Sequence, residues 1–515
     1  MKRAELLQKL GQQTRWDMII IGGGATGLGA AVEAASRGYR ILLLEGQDFA
    51  SGTSSRSTKL IHGGVRYLQQ GNIALVLDAL HERGLLIRNA PHLVQNRSFI
   101  VPLYDWWEGP FYGVGLKLYD ALAGKLGLGP SQLLSRAETL EQLPTLEEKG
   151  LRGGVIYHDG QFDDARLAIA LARTAVEHGA TVVNHLPVTS LIKESGQVFG
   201  VIAKDAQSGQ EYELTAKVVI NATGPFCDSI RRLDDPAVPT LLAPSQGIHL
   251  VLPRTFLPGA SAIMVPHTDD GRVLFAVPWH DRVLLGTTDT PVDSVDFEPR
   301  PLTAEIDFLL QHAARYLHQD PQRQDILSIF AGLRPLVKNG DSHDTASLAR
   351  DHTLLVSHSG LVTITGGKWT TYRKMGEDTI NLAARIAVLP ERPSRSADLP
   401  LHGAGTEMMG EWAEYGSDAG GLEALCNADP SLRKHLHPDL PYRRVEIIWA
   451  IRHEWAESVE DLLSRRTRAL ILDARAAIAC APQVAALLAT ELDKDATWQA
   501  AQIAAFTTLA QGYLP

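Results

Sequence analysis

The stretch Met18-Ile-Ile-Ile21, running into Gly22-Gly-Gly24-Ala-Thr-Gly27, constrains this chain more than any other. An apolar run opens into a glycine-rich turn, an alanine-rich segment follows from 28 to 36, and ILLLE closes the unit at 41 to 45. This reads as strand, turn, helix, strand. Strands apolar on both faces and separated by a helix length pair in parallel under helices, so the chain begins a doubly wound α/β sheet. In that context the glycines match the dinucleotide fingerprint. Gly22 allows the tight turn, Gly24 lets a pyrophosphate approach the backbone, Gly27 permits close helix–strand packing, and Ala25 and Thr26 open a helix whose N-terminus favours phosphate. Glu45 ends the next strand, placed to accept hydrogen bonds from an adenosine ribose. An acid there disfavours the 2′-phosphate of NADP, while NAD and FAD stay equally open.

The segment after Glu45, DFASGTSSRSTKLIHGGVRYLQQG, supplies small hydroxyl residues including Ser54 and Ser55, then His62, Gly63, Gly64 and the pair Arg66-Tyr67. Such a stretch leaves backbone open to a flat ring system, which favours FAD. Asn221-Ala-Thr223-Gly224 and Thr365-Gly366-Gly367-Lys368 each follow a predicted strand, where open α/β sheets present ligands. The nucleotide is therefore expected to be gripped from three distant segments.

The remaining organisation is coarser. A helix is expected near 166–180, with Asp163 and Asp164 capping its start. Short strands run from 181 to 224, β-type segments from 247 to 290 suit a second, mixed sheet roofing a ligand site, and a helix follows at about 370 to 388. Proline, serine and charge mark 389–405 as a linker. Beyond it Val445, Ile448, Trp449, Trp455, Ala456, Val459, Leu462 and Leu463 share one face at a period of about 3.6 residues, so the last part reads as a helical domain. The expected division is 1–390, a flavin-binding domain interleaved with a substrate part mainly at 75–150 and 240–340, then 391–515.

Composition narrows the function classes. Lys plus Arg number 49 against 59 Asp plus Glu, a net charge of −10, which disfavours nucleic acid as partner. Cys227, Cys426 and Cys480 lack the spacing of a metal or iron–sulfur site, so no metal is expected and a reducing compartment is the simpler reading. The N-terminus lacks the apolar core of a secretory signal and no window spans a membrane, so the chain is expected inside the cell.

The motifs GGGATG, STKLIHGGVRYL, YHDGQFDDARL, NATGPF, IFAGLRPL, TGGKWTTYR and YRRVEIIWAIRHEWAESVEDLLSRRTR resemble those of the FAD-dependent glycerol-3-phosphate dehydrogenases, over nearly the whole chain. Those enzymes lie within the D-amino-acid-oxidase-like flavoproteins. The C-terminus lacks the cysteine-rich module of anaerobic forms, which points to the aerobic type. The resemblance implies a Rossmann-like FAD-binding domain interleaved with a mixed-sheet substrate domain, and oxidation of sn-glycerol 3-phosphate to dihydroxyacetone phosphate. It also implies a quinone acceptor, a homodimer, and a cytoplasmic enzyme lying peripherally on the inner face of the cell membrane. A glycerol-3-phosphate oxidase, reducing oxygen instead, is the alternative.

By similarity, Arg66, Arg334 and Lys368 are the cations around the flavin ring and the phosphate, with Tyr67 and His249 beside the substrate. Val188 joins the cofactor set. His249 is the first candidate for the base that takes the hydroxyl proton, its ordinary pKa of about 6.5 being suited to the task. Arg334 stabilising an alkoxide, with water or Lys368 as base, stays open. A short amphipathic pattern at the N-terminus, Lys2, Arg3, Lys9 and Arg15 flanking Leu6, Leu7 and Leu10, fits headgroup contact or a plain surface helix. The run Arg465, Arg466 and Arg468 fits membrane, dimer or solubility.

Overall fold

The computed structural model describes residues 3–13, 15–64, 72–106, 108–266, 268, 273–338, 351–405 and 410–515. Two sheets organise it. In the first, Ile41–Leu44, Arg15–Ile21, Glu211–Asn221 and Val362–Gly366 lie side by side and parallel, with Thr181–Val183 at one edge. His352–Val356 pairs antiparallel at the other edge, and a hairpin of Val188–Glu194 and Gln197–Lys204 adds onto Glu211–Asn221. The central strands are buried on both faces, as their unbroken apolar runs require.

Register decides where the motifs meet. Ile21 sits beside Leu44 and Asn221, and Asn221 beside Thr363. The glycine turn, Glu45, the Asn221–Gly224 turn and the Gly366–Lys368 turn therefore leave the sheet at one common edge, the carboxyl ends of parallel strands. The helix Ala25–Ser36 covers the sheet and crosses Tyr372–Ile386 through small residues. A Cβ on Gly29 would lie 2.8 Å from the Tyr372 carbonyl oxygen, and one on Gly376 2.7 Å from Gly29 backbone. Only glycine admits that approach.

The second sheet is mixed. Among the described residues it runs from Thr290–Pro291 through Ser245–Pro253, Arg282–Gly286, Leu274–Trp279, Ala262–Val265, Val94–Leu103 and Gly153–Phe162 to Leu60–Ile61, with Ser328–Arg334 added on Ser245–Pro253. The C-terminal helices Arg444–His453, Ala474–Leu492 and Ala496–Gln511 share a hydrophobic core with Val251, Trp279, Leu284 and Phe330 of this sheet.

Packing corrects three expectations and decides an open one, the N-terminal helix, in favour of the plain surface helix. The eight C-terminal apolar residues are all buried, but not on one helix: it ends at His453, and Trp455 takes a positive φ of 56°. The segment 389–405 is no free linker, since Leu401 N–H donates to Asn89 O, Arg392 donates to Arg37 O, and Leu401 is buried. The N-terminal helix Arg3–Gln12 spends Leu6 and Leu10 on the protein's own core, and Arg3 pairs with Asp205 at 2.5 Å; Lys2 lies outside the described residues. Arg465, Arg466 and Arg468 are buried too, two of them on Asp48 and the third on Asp164. The cap at 163 is as expected: Asp163 accepts from Ala165 and Arg166 N–H, both at 2.9 Å.

Candidate active site

One cavity of about 550 Å³ runs along the strand ends and under the second sheet. Its nucleotide end is built from backbone. Gly22 has φ 109°, and a Cβ there would meet Ala222 O at 2.6 Å; a Cβ on Gly27 would meet Gly22 O at 1.9 Å. Gly24 precedes the helix without capping it by a side chain, and Ser54 Oγ accepts from Ala25 N–H at 2.9 Å. The helix start thus faces the cavity beside Gly24, Ala25 and Thr26. Glu45 Oε2 accepts from Gly23 N–H at 2.6 Å and Oε1 from Gln47 N–H at 2.7 Å. Burial raises its pKa while those two donors oppose the rise. Each oxygen keeps a lone pair for a ribose hydroxyl.

The middle of the cavity is walled by Val188, Thr223, Gly224, Gly366, Gly367, Lys368 and His62. Asn221 braces one turn, accepting from Thr223 Oγ1 at 2.7 Å and donating to Cys227 O at 2.9 Å. Three expected residues stand elsewhere. Ser55 is buried beneath the wall, its carbonyl accepting from Lys59 Nζ and Arg468 Nη2, both at 2.7 Å. Gly63 donates away from the cavity to Tyr119 Oη at 2.9 Å, and Gly64 is not in the lining. Arg66 and Tyr67 lie outside the described residues.

At the far end, Arg334 is half-buried in the wall and fixed by four acceptors: Asp289 Oδ1 at 3.1 Å, Thr288 O at 2.8 Å, Thr287 Oγ1 at 3.2 Å and Gln246 O at 3.3 Å. His249 also lines this end, its Nε2 2.9 Å from Thr58 Oγ1. Burial, then the Lys59 and Arg334 charges, hold the imidazole well below its ordinary pKa, so it is uncharged at neutral pH. Residue-by-residue reading missed Arg56, paired with Glu298, and Trp369, whose Nε1 donates to Ser54 O at 2.8 Å. It also missed Phe297, stacked on Phe226 at 3.9 Å. Their partners lie from about 70 to more than 300 positions away, so no local pattern marks them.

The sequence profile described as FAD dependent oxidoreductase matches residues 17–373, and that of the C-terminal domain of alpha-glycerophosphate oxidase matches 363–499. Human mitochondrial glycerol-3-phosphate dehydrogenase is 41% identical across 96% of this chain and 73% of its own length. The chain belongs to the FAD-dependent glycerol-3-phosphate dehydrogenase family. The mitochondrial family member of Arabidopsis thaliana is 40% identical over 92% of this chain and 82% of its own. A glycerol-3-phosphate dehydrogenase from Bacillus halodurans, solved in complex with FAD, superposes with a TM-score of 0.82 at 28% identity, covering 100% of this chain and 98% of that one. As in the rest of the family the cofactor is FAD, and the glycine-lined helix start facing the cavity, the Glu45 carboxylate and the steric demand for glycine at 22 and 27 suit its adenosine diphosphate half.

Proposed function

We propose that this enzyme oxidises sn-glycerol 3-phosphate to dihydroxyacetone phosphate and passes the electrons to a membrane quinone. The observation that carries the reading is the shared cavity: one lining holds the glycine turn and Glu45 together with Arg334, Lys368 and His249. Bound FAD supplies the two-electron acceptor for the carbinol hydrogen. The chain must do the rest. Arg334, its guanidinium plane fixed by carbonyls and Asp289, presents positive charge to a phosphate or a developing alkoxide without reorganising. Lys368, carried on two positive-φ glycines, adds a second cation to the same wall. Uncharged His249 takes the hydroxyl proton, and Thr58 orients its ring. Arg66 and Tyr67 belong to the same proposal by motif.

The membrane reading now rests on a different surface from the N-terminal helix. The helix Glu108–Ala123 exposes Phe111, Val114 and Leu118 at helical spacing, Trp106 precedes it at 76% exposure, and Leu133 adjoins. An apolar and aromatic face of that kind suits a bilayer interface. Among the described residues no helix is long and apolar enough to cross a membrane.

The reaction is tested by anaerobic mixing with glycerol 3-phosphate: the visible flavin band bleaches, and a soluble ubiquinone analogue restores it faster than air does. Unbleached flavin overturns the substrate assignment. Stoichiometric peroxide with no quinone reduction assigns the oxidase alternative.

A further inference from the structure

Behind the cavity wall lies a charged layer that the reaction as described does not use. Lys59 is fully buried and absent from the cavity lining. Its ammonium donates to Asp164 Oδ2 at 2.6 Å and to Ser55 O at 2.7 Å. Asp164 accepts in turn from Ser57 Oγ at 2.7 Å and pairs with Arg468 at 3.2 Å, while Arg468 Nε lies 3.7 Å from Asp163. The cation sits 5.1 Å from the Phe330 ring centroid. On Phe330 the His249 imidazole is stacked, 4.8 Å between centroids and 9° from parallel. Next to Lys59 in the chain, Thr58 holds His249 Nε2, whereas His249 Nδ1 is buried with no hydrogen-bond partner among the described residues.

Resting on the proposed role of His249, we infer that Lys59 is a positioning residue for it: an ammonium clamped by Asp164 and Ser55 that fixes Thr58 and biases the imidazole towards its uncharged, proton-accepting form. Two contacts carry the effect. The clamp orders the backbone at 55–59, which aims the Thr58 hydroxyl, and the charge behind Phe330 repels a second positive charge on the imidazole. The charged groups facing His249 are Lys59 and Arg334; those facing Lys59 are Asp164, Asp163 and Arg468. During turnover the substrate hydroxyl proton moves to a His249 nitrogen, and the Lys59 charge speeds its later release to solvent.

The test is the pH profile of flavin reduction by glycerol 3-phosphate in the FAD-loaded enzyme. In Lys59→Met the acidic limb of kcat/KM moves up by about one pH unit, a tenfold loss on the acid side with the plateau within a few-fold of the parent. Lys59→Arg keeps the charge and leaves the limb in place. If Lys59→Met fails to fold because Asp164 loses its nearest donor, Lys59→Gln removes the charge alone, keeps an N–H donor for Asp164 and reads the same limb. A limb unmoved in the folded charge-removing variant overturns the inference. His249→Asn separates this from the underlying reading. A limb that survives there shows that the base is another group, whatever Lys59 does; a limb lost there yet unmoved without Lys59 refutes the Lys59 role alone.

Discussion

Asp48 and Arg466, 418 positions apart, form a bidentate ion pair at 2.7 and 2.8 Å with both side chains buried. Arg465 adds a third bond to the same carboxylate at 2.6 Å. Asp48 opens the loop whose residues 50–54 and 56–58 wall the cavity, so the C-terminal part of the chain holds the floor of the FAD site. Desolvating these charges is costly, and geometry with hydrogen bonds on every side is what offsets it. Four outcomes follow from this and the other contacts.

Arg334→Ala is expected to lower kcat/KM for glycerol 3-phosphate by at least about a hundredfold, the scale of losing one fixed charge donor. The protein stays yellow, since Arg334 belongs to the second sheet, whereas Glu45 and the glycine turn leave the strands of the first. Arg334→Lys recovers only part of the loss, because an ammonium cannot satisfy Asp289 and Thr288 in one plane. Steady-state kinetics beside the flavin-to-protein absorbance ratio check both points.

Gly27→Ala is expected to yield colourless protein, with a stability loss of about 1–3 kcal/mol from the forced shift of the helix. The added methyl would sit 1.9 Å from Gly22 O, a backbone atom with no rotamer to yield. FAD titration followed by fluorescence, with thermal unfolding, measures the two effects. Wild-type FAD affinity in this variant would remove the steric reading.

Glu446 gives a pH signature in stability. Burial and the neighbouring Glu414 push its carboxyl up to about 8. The folded protein therefore keeps a proton that the unfolded chain loses above about 4.5, so this group's contribution is present at low pH and fades as pH rises through 8. Glu446→Gln keeps the acceptor for Arg443 N–H and flattens that slope, a change on the order of a few kcal/mol between pH 5 and 8. Urea unfolding across that range measures it; parallel slopes in the two proteins would contradict the assignment.

Phe111→Asp with Val114→Asp is expected to release the enzyme from vesicles of mixed phosphatidylcholine and phosphatidylglycerol while leaving flavin bleaching by substrate unchanged. Both side chains point to solvent, Val114 at 72% exposure. Sedimentation with vesicles reads the effect. Equal sedimentation of parent and variant would assign lipid contact to another face, and a halved solution mass in the variant would mark this one as a contact between copies.

The sequence by itself determined the nucleotide end of this protein. Periodicity, an unbroken apolar strand and glycines at fixed offsets are local signals, because they report what the backbone of neighbouring residues must do. Those signals led to Gly22, Gly24, Gly27 and Glu45, and to the turns at 221–224 and 365–368 that register then brought to one sheet edge. Tertiary structure alone decided the fate of charge and amphipathicity. The arginines at 465, 466 and 468 and the leucines of the first helix carry the same pattern whether they face water or protein. Which they face depends on partners such as Asp48, Asp164 and the sheet edge near 181–185, far away in the chain. The same holds for His249, whose imidazole is held below its ordinary pKa by burial and then by the Lys59 and Arg334 charges, and for Ser55, which the Lys59 and Arg468 bonds turn away from the cavity. Burial and electrostatics are sums over neighbours in space, and a linear sequence orders neighbours only along the chain.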